Sequence, residues 1–82
     1  MRFGDHIEYF IPGHGTAPGK GFVIGWPHYS ADKQIVMLAD ENSFGMPINV
    51  RHCKTISSGH VEDCARWRDR FAAKHPEFLA SE

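Results

Sequence analysis

The run Gln-Ile-Val-Met-Leu-Ala at residues 34–39 limits the possible folds more than any other stretch of this 82-residue chain. Successive side chains of a strand point to opposite faces, so a strand with one wet face alternates apolar and polar residues. Ile35, Val36, Met37, Leu38 and Ala39 are apolar on both faces. Turn-forming residues bound the run, Ser30-Ala31-Asp32-Lys33 before it and Asp40-Glu41-Asn42-Ser43 after it, so it has the length of a strand rather than of a helix. Such a strand needs a layer on each side. One is the interior of a small sheet; the other is a helix of the same chain or the surface of another subunit.

Period-two patterning supplies the rest of the sheet. Gly4-Asp5 introduces residues 6–11, where Ile7, Tyr9 and Ile11 share one face and His6, Glu8 and Phe10 the other. Residues 21–26, Gly-Phe-Val-Ile-Gly-Trp, read as a second strand ending near Pro27, and residues 34–39 as the third. Residues 40–43 form a tight hairpin turn. In residues 44–50, Phe44, Met46, Ile48 and Val50 alternate inward with Gly45, Pro47 and Asn49 outward. Pro47 has no N–H to give to a ladder and marks an edge or a bulge. Cys53-Lys54-Thr55-Ile56 is a short fifth strand.

The pattern then changes period. Ser57-Ser58-Gly59 offers capping residues, and Glu62 and Asp63 place acid in a first helical turn, where the dipole favours it. The spacing predicts a helix over 60–74. Cys64, Trp67 and Phe71 fall on one side, flanked by Val61, while Arg66, Arg70 and Lys74 form a basic stripe at four-residue spacing. His75-Pro76 stops the helix, and Phe78 and Leu79 are expected to tuck back in a loose turn.

Residues 12–21, Pro-Gly-His-Gly-Thr-Ala-Pro-Gly-Lys-Gly, invite comparison with a phosphate-binding loop, but the pattern fails. A P-loop needs four residues between its glycines and a hydroxyl after Lys, because the backbone N–H groups must curl round the anion before a helix opens. Three residues separate Gly15 from Gly19, Gly21 follows Lys20, and a strand follows Gly21. The stretch is read as a long hairpin loop.

The formal net charge is −1, which speaks against a strongly basic grip on nucleic acid. Charge is unevenly placed, however: residues 1–50 hold three basic and five acidic side chains, and residues 51–75 hold six basic and three acidic ones. No apolar run is long enough to cross a membrane, and there is no signal-peptide pattern, so the expectation is a cytoplasmic protein without a membrane partner. Two cysteines, Cys53 and Cys64, are too few for a secreted disulfide framework; they are expected as thiols, with a single bridge between them left open.

Six histidines raise a metal hypothesis, with His60 and Cys64 one helical turn apart and His52 and Cys53 as further ligands. A closed zinc site shows tight ligand pairs such as C-x-x-C, and none is present; Cys64 also lies on the apolar helix side, where a thiol acts as a small hydrophobe. No metal and no cofactor are expected. The adjacency of His52 and Cys53 does not make a base and a nucleophile, and the pairs Asp40-Glu41 and Glu62-Asp63 stand in a turn and a helix start for structural reasons. No catalytic residue is assigned. Trp26, His28 and Tyr29 are the candidate ligand-binding residues, because Trp and Tyr combine apolar area with polar tips and the loops of small sheets carry binding groups; of these, Trp26 fits the core better than the surface, and Tyr29, beside a turn, is expected to be partly exposed. Arg51, Lys54, Arg66, Arg70 and Lys74 are the candidate contacts of an alternative, nucleic-acid-binding reading.

Five short strands, a long first loop, tight turns and a terminal helix resemble the Src-homology-3-like small barrel, in the broad variety shared by KOW and Tudor domains. The likeness covers residues 3–56 and rests on Gly4-Asp5-x-Ile7, on Gly19-x-Gly21 before Phe-Val-Ile-Gly-Trp, and on the closing stretch 44–56. It implies a mainly β fold, a five-stranded barrel over 1–56 with a C-terminal α-helix and tail, 57–82, packed on it in one domain. Residues 4–9, 21–26 and 48–56 are also similar to the plasmid-type (type II) dihydrofolate reductases, whose small barrels assemble into a tetramer round a central pore. That family carries Val-Gln-Ile-Tyr before its closing strand, where this chain has Gly45-Met46-Pro47-Ile48 and so lacks both polar functional side chains. The sequence therefore points to a non-enzymatic binding or assembly module for a protein or small-molecule ligand. A homo-oligomer is expected, from apolar surface in excess of what a small barrel encloses. The alternatives are a small oligomeric enzyme with a site between subunits and a weak nucleic-acid-binding protein.

Overall fold

Gly4 and Asp5 set the start of the sheet. Gly4 has φ 103°, the Asp5 carboxylate accepts the Arg2 N–H at 2.9 Å, and the Asp5 carbonyl accepts the Val23 N–H at 3.0 Å. The computed structural model describes residues 1–10, 18–41 and 45–79. Within these, five strands form one antiparallel sheet: β1 (His6–Tyr9), β2 (Gly19–Gly25), β3 (Ile35–Ala39), β4 (Met46–Asn49) and β5 (Cys53–Ser57). Their order is β4-β3-β2-β1-β5, and a 3-10 turn at Val50–His52 carries the chain from one edge to the other. The sheet is not closed: β4 and β5 are its edges. One helix, α1 (Val61–Lys74), follows.

The two-faced apolar strand has a layer on each side, as its pattern demands. Val36 and Leu38 join Ile7, Val23 and Ile48 in one buried cluster, with Tyr9, Trp26, Met46, Val50 and Cys53 round it. Met37 and Ala39 point the other way and join Ile24 and Phe71 of α1, with Trp67, Phe78 and Leu79 at the margin. The second layer is thus the chain's own helix and tail. Burying Ile24, Met37 and Phe71 there contributes about 1.5–3 kcal/mol apiece, a large share of what holds a domain of this size. The outer face of β3 no longer calls for a partner subunit.

Boundaries differ from the sequence expectation where hydrogen bonding decides. β2 starts at Gly19 rather than Gly21, because Tyr9 pairs with Gly19 and Glu8 with Lys20. Val50 leaves the fourth strand for the 3-10 turn, which the Asn49 side chain caps by accepting the Arg51 N–H at 3.0 Å. The capping residues of α1 are a correction. His60, not Ser57, Ser58 or Gly59, stands at the N-cap and gives no side-chain cap bond; its N–H instead donates to the Gly4 carbonyl at 2.7 Å, tying the helix start to the start of β1. Val61 is also corrected: it is 54% exposed, not part of the buried side. Cys64 and Phe71 are buried and Trp67 half-buried, as the helical spacing requires. Pro47 is exposed on edge strand β4. The glycine-rich segment 11–17, with Ile11, and residues 42–44 of the hairpin turn, with Phe44, lie outside the described residues.

The β2–β3 connection is held by its own side chains. Buried Ser30 accepts the Ile35 N–H on Oγ at 2.9 Å, Asp32 accepts the Gln34 N–H at 3.1 Å, and Lys33 takes the left-handed conformation with φ 58°. This local bonding fixes the direction of the residues just before it, which bear on the site.

Candidate functional site

Trp26, Pro27, His28 and Tyr29 leave β2 and meet the tail that follows α1. The His28 N–H donates to the Phe78 carbonyl at 2.8 Å, and Pro27 bridges to Leu79. Pro76 ends the helix and the next residues turn, the Phe78 N–H reaching the His75 carbonyl at 3.2 Å. A shallow groove of about 350 Å³ results, lined by His28, His75, Pro76, Glu77 and Phe78.

Three rings gather at its end. His28 and Tyr29 have centroids 5.7 Å apart at 86°, His28 and Phe78 6.2 Å at 77°, and Tyr29 and Phe78 5.9 Å at 89°. Behind them Phe71 holds Phe78 at 5.7 Å and His75 at 5.1 Å, which connects the groove to the buried cluster under α1. Tyr29 is 56% exposed. Fixed aromatic area of this kind, with little conformational entropy left to lose, is what recognition surfaces use.

His28 and Tyr29 therefore come together as the sequence suggested, and Trp26 does not join them. Its ring packs against the cluster inside the sheet and is covered by Lys33 Nζ, 5.0 Å from the centroid. Phe78, His75 and Glu77 complete the groove and were not singled out from the sequence. The available signal was the second half of the tail, where Phe78 and Leu79 were expected to fold back without a stated partner.

The five basic candidates stand on two parts of the fold. Arg51 and Lys54 stand in the 3-10 turn and on edge strand β5, whereas α1 packs chiefly on β2 and β3. Arg70 lies over the Trp67 ring at 5.0 Å and Arg66 at 6.0 Å, with Arg66 also paired to Asp63. These guanidinium groups serve the helix itself; Lys74 sits exposed in the last turn.

Both cysteines are thiols, and burial pushes both above the usual thiol range. Cys53 Sγ faces the Asn49 carbonyl at 3.5 Å and Cys64 Sγ the Asp5 carbonyl at 3.8 Å. Cys64 and His60 therefore look in different directions. His60 stacks edge-on against Phe22 and His6, with its Nε2 2.7 Å from Ser57 Oγ and its Nδ1 3.9 Å from Asp63. Among the described residues no three of His, Cys, Asp and Glu gather as a metal site.

His6 yields a pH dependence. His6 stacks on Phe22 at 4.5 Å, and its pKa lies below the ordinary value, first through burial, then through His60 and Lys20, with Asp40 and Asp63 acting in the opposite sense. Folding therefore favours the neutral imidazole. The stabilisation is complete above about pH 6.5, the unfolded value, and is lost as pH falls through the histidine range, because the unfolded chain then binds the proton first. Thermal unfolding followed from pH 7.5 to 5.5 is expected to show a smaller drop in Tm for His6→Gln than for the parent chain. Equal drops in the two would remove His6 from the account.

A scan against protein-family models, a search of curated proteins and a search of solved structures each find no match for this chain.

Proposed function

We propose that this chain is a non-enzymatic binding module on a Src-homology-3-like barrel, with the groove between His28-Tyr29 and His75–Phe78 as its ligand-contacting surface. Four consecutive antiparallel strands, then a 3-10 turn that carries β5 to the far side of β1, support the barrel layout. The observation that carries the binding reading is the joining of two distant segments: the His28–Phe78 hydrogen bond and the Pro27–Leu79 bridge hold three rings at the rim of a groove. The rings belong to a β2–β3 connection whose own hydrogen bonds fix it and to a tail anchored by Leu79. Such a surface is organised before any ligand arrives, which lowers the ordering cost of binding. Self-association belongs to the same proposal, and among the described residues Met1, Phe10, Tyr29, Ile56 and Val61 are the exposed large apolar side chains.

The test is an NMR titration of the 15N-labelled chain with a set of small neutral, cationic and anionic fragments and short peptides. Shifts are expected to centre on His28, Tyr29 and Phe78, and Tyr29→Ala is expected to weaken the binding by about 1–2 kcal/mol, the range of an exposed aromatic contact that dominates its site. Shifts centred on Arg66 and Arg70, indifferent to Tyr29→Ala, would sink the groove and favour the helix as the binding surface.

A further inference from the structure

We infer that Ser57 is an acyl-acceptor site, a hydroxyl activated by His60 and Asp63 to take an acyl group from a thioester or an aryl ester. The site goes beyond the groove, for it stands at the start of α1 and the groove at its end. Ser57 closes β5 opposite His6, is exposed, and does not cap the helix. Its Oγ lies 2.7 Å from His60 Nε2. Asp63 Oδ2 lies 3.9 Å from His60 Nδ1, while Oδ1 of the same carboxylate is paired with Arg66. Hydroxyl, imidazole and carboxylate thus follow one another across the junction of β5 and α1.

The carboxylate decides the tautomer. Its negative charge holds the imidazole proton on Nδ1, so Nε2 presents a lone pair and accepts the Ser57 O–H. The ring is held in that direction by edge contacts with Phe22 at 5.6 Å and His6 at 5.7 Å, and the His60 N–H donates to the Gly4 carbonyl at 2.7 Å. A base within hydrogen-bond reach of a hydroxyl, itself oriented by a third group, is the arrangement that activates an oxygen nucleophile. The two thiols are not rivals: each faces a backbone carbonyl, and burial holds both in the protonated form.

In the acylation step the Ser57 Oγ attacks the carbonyl carbon as its proton passes to His60 Nε2. The C–S or C–O bond to the leaving group then breaks, the thiol or phenol departs with the proton from Nε2, and the acyl group stays on Oγ as an ester. Nothing is oxidised or reduced. The described contacts supply proton transfer alone, so the donor is one whose leaving group departs readily, as a thiol or phenol does. A chain acylated in this way carries the group and does not turn over, in keeping with a binding role.

The experiment treats the full chain with p-nitrophenyl acetate and with the acetyl thioester of N-acetylcysteamine, and follows acetylation of each residue in time by peptide mass spectrometry. Ser58, the next residue and also exposed, is the internal comparison. Ser57 is expected to be acetylated about 100-fold faster than Ser58, the usual size of general base assistance. His60→Gln is expected to bring Ser57 down to the Ser58 rate, with dispersed amide spectra showing that the fold is intact. Asp63→Asn is expected to slow Ser57 by about 2- to 5-fold, the worth of one exposed charge pair. Ring 15N spectra of His60 should show the Nδ1–H tautomer in the parent chain and a mixture in Asp63→Asn, a change that loss of a merely structural contact would not produce. Equal rates at Ser57 and Ser58 would overturn the assignment. So would acetyl retained on His60 with Ser57 unlabelled, or a folded His60→Gln chain in which Ser57 is not slowed.

Discussion

Gly45→Ala is expected to destabilise the chain by about 2–5 kcal/mol, a large share of what holds a domain of this size folded. Two costs combine. Gly45 has φ 127°, a conformation side chains rarely adopt, and forcing a non-glycine residue into positive φ costs about 1–2 kcal/mol. A methyl group there would also lie 2.5 Å from the Phe71 ring, which is buried; such overpacking adds about 1–3 kcal/mol. Urea unfolding monitored by tryptophan fluorescence gives the value. The double variant Gly45→Ala, Phe71→Leu separates the two terms, because a smaller side chain at 71 relieves the clash and leaves the backbone strain. A loss below about 1 kcal/mol for Gly45→Ala would mean that the helix does not press on this position.

Phe71→Ala is expected to cost about 3–5 kcal/mol, the usual range for deleting a buried phenyl ring. Phe71 is 5% exposed and joins Ile24, Met37 and Ala39 in the cluster between the sheet and α1. Its removal takes away the main apolar anchor of the helix and unseats Phe78 and His75, which rest against it. Circular dichroism should show helix lost at lower urea than sheet, and light scattering should show association through the uncovered outer faces of β2 and β3. A single, fully cooperative transition with unchanged mass would contradict this division between sheet and helix.

The sheet was legible because its signals are local. Alternation in 6–9 and 46–49, the turn chemistry of 30–33 and the donor-free Pro47 each specify their own segment. The two-faced pattern of 35–39 carried more, since apolar side chains on both faces state that a second layer exists, and the 3.6-residue spacing of Cys64, Trp67 and Phe71 supplies one. Two things were not legible. The cap of α1 depends on where the Gly4 carbonyl lies, which is a contact between the two ends of the chain, and Ser57 and Gly59 looked equally fit for it. Half of the candidate site comes from the tail, whose pairing with Pro27 and His28 follows from the path taken by α1 across the sheet. No residue pattern in 75–79 encodes that path. Trp26 was legible in part: a tryptophan at the end of a strand fits the interior better than the rim, and its ring packs against the cluster inside the sheet with Lys33 Nζ 5.0 Å from the centroid.

The pairing of β1 with β5, in a register that sets His6 opposite Ser57, has a kinetic consequence. The first strand of the sheet cannot complete its edge until the last strand exists, and helix α1, which shields Ile24, Met37 and Ala39, is synthesised later still. Contacts so distant along the chain slow folding, because loop-closure entropy is spent before they form. The hairpins from β1 to β4 thus come first, and for that interval the outer surface of β2 and β3 is bare apolar sheet beside the open edge of β1. A newly made chain is at its greatest risk of adhering to its neighbours in that interval, and the arrival of Phe71 ends it.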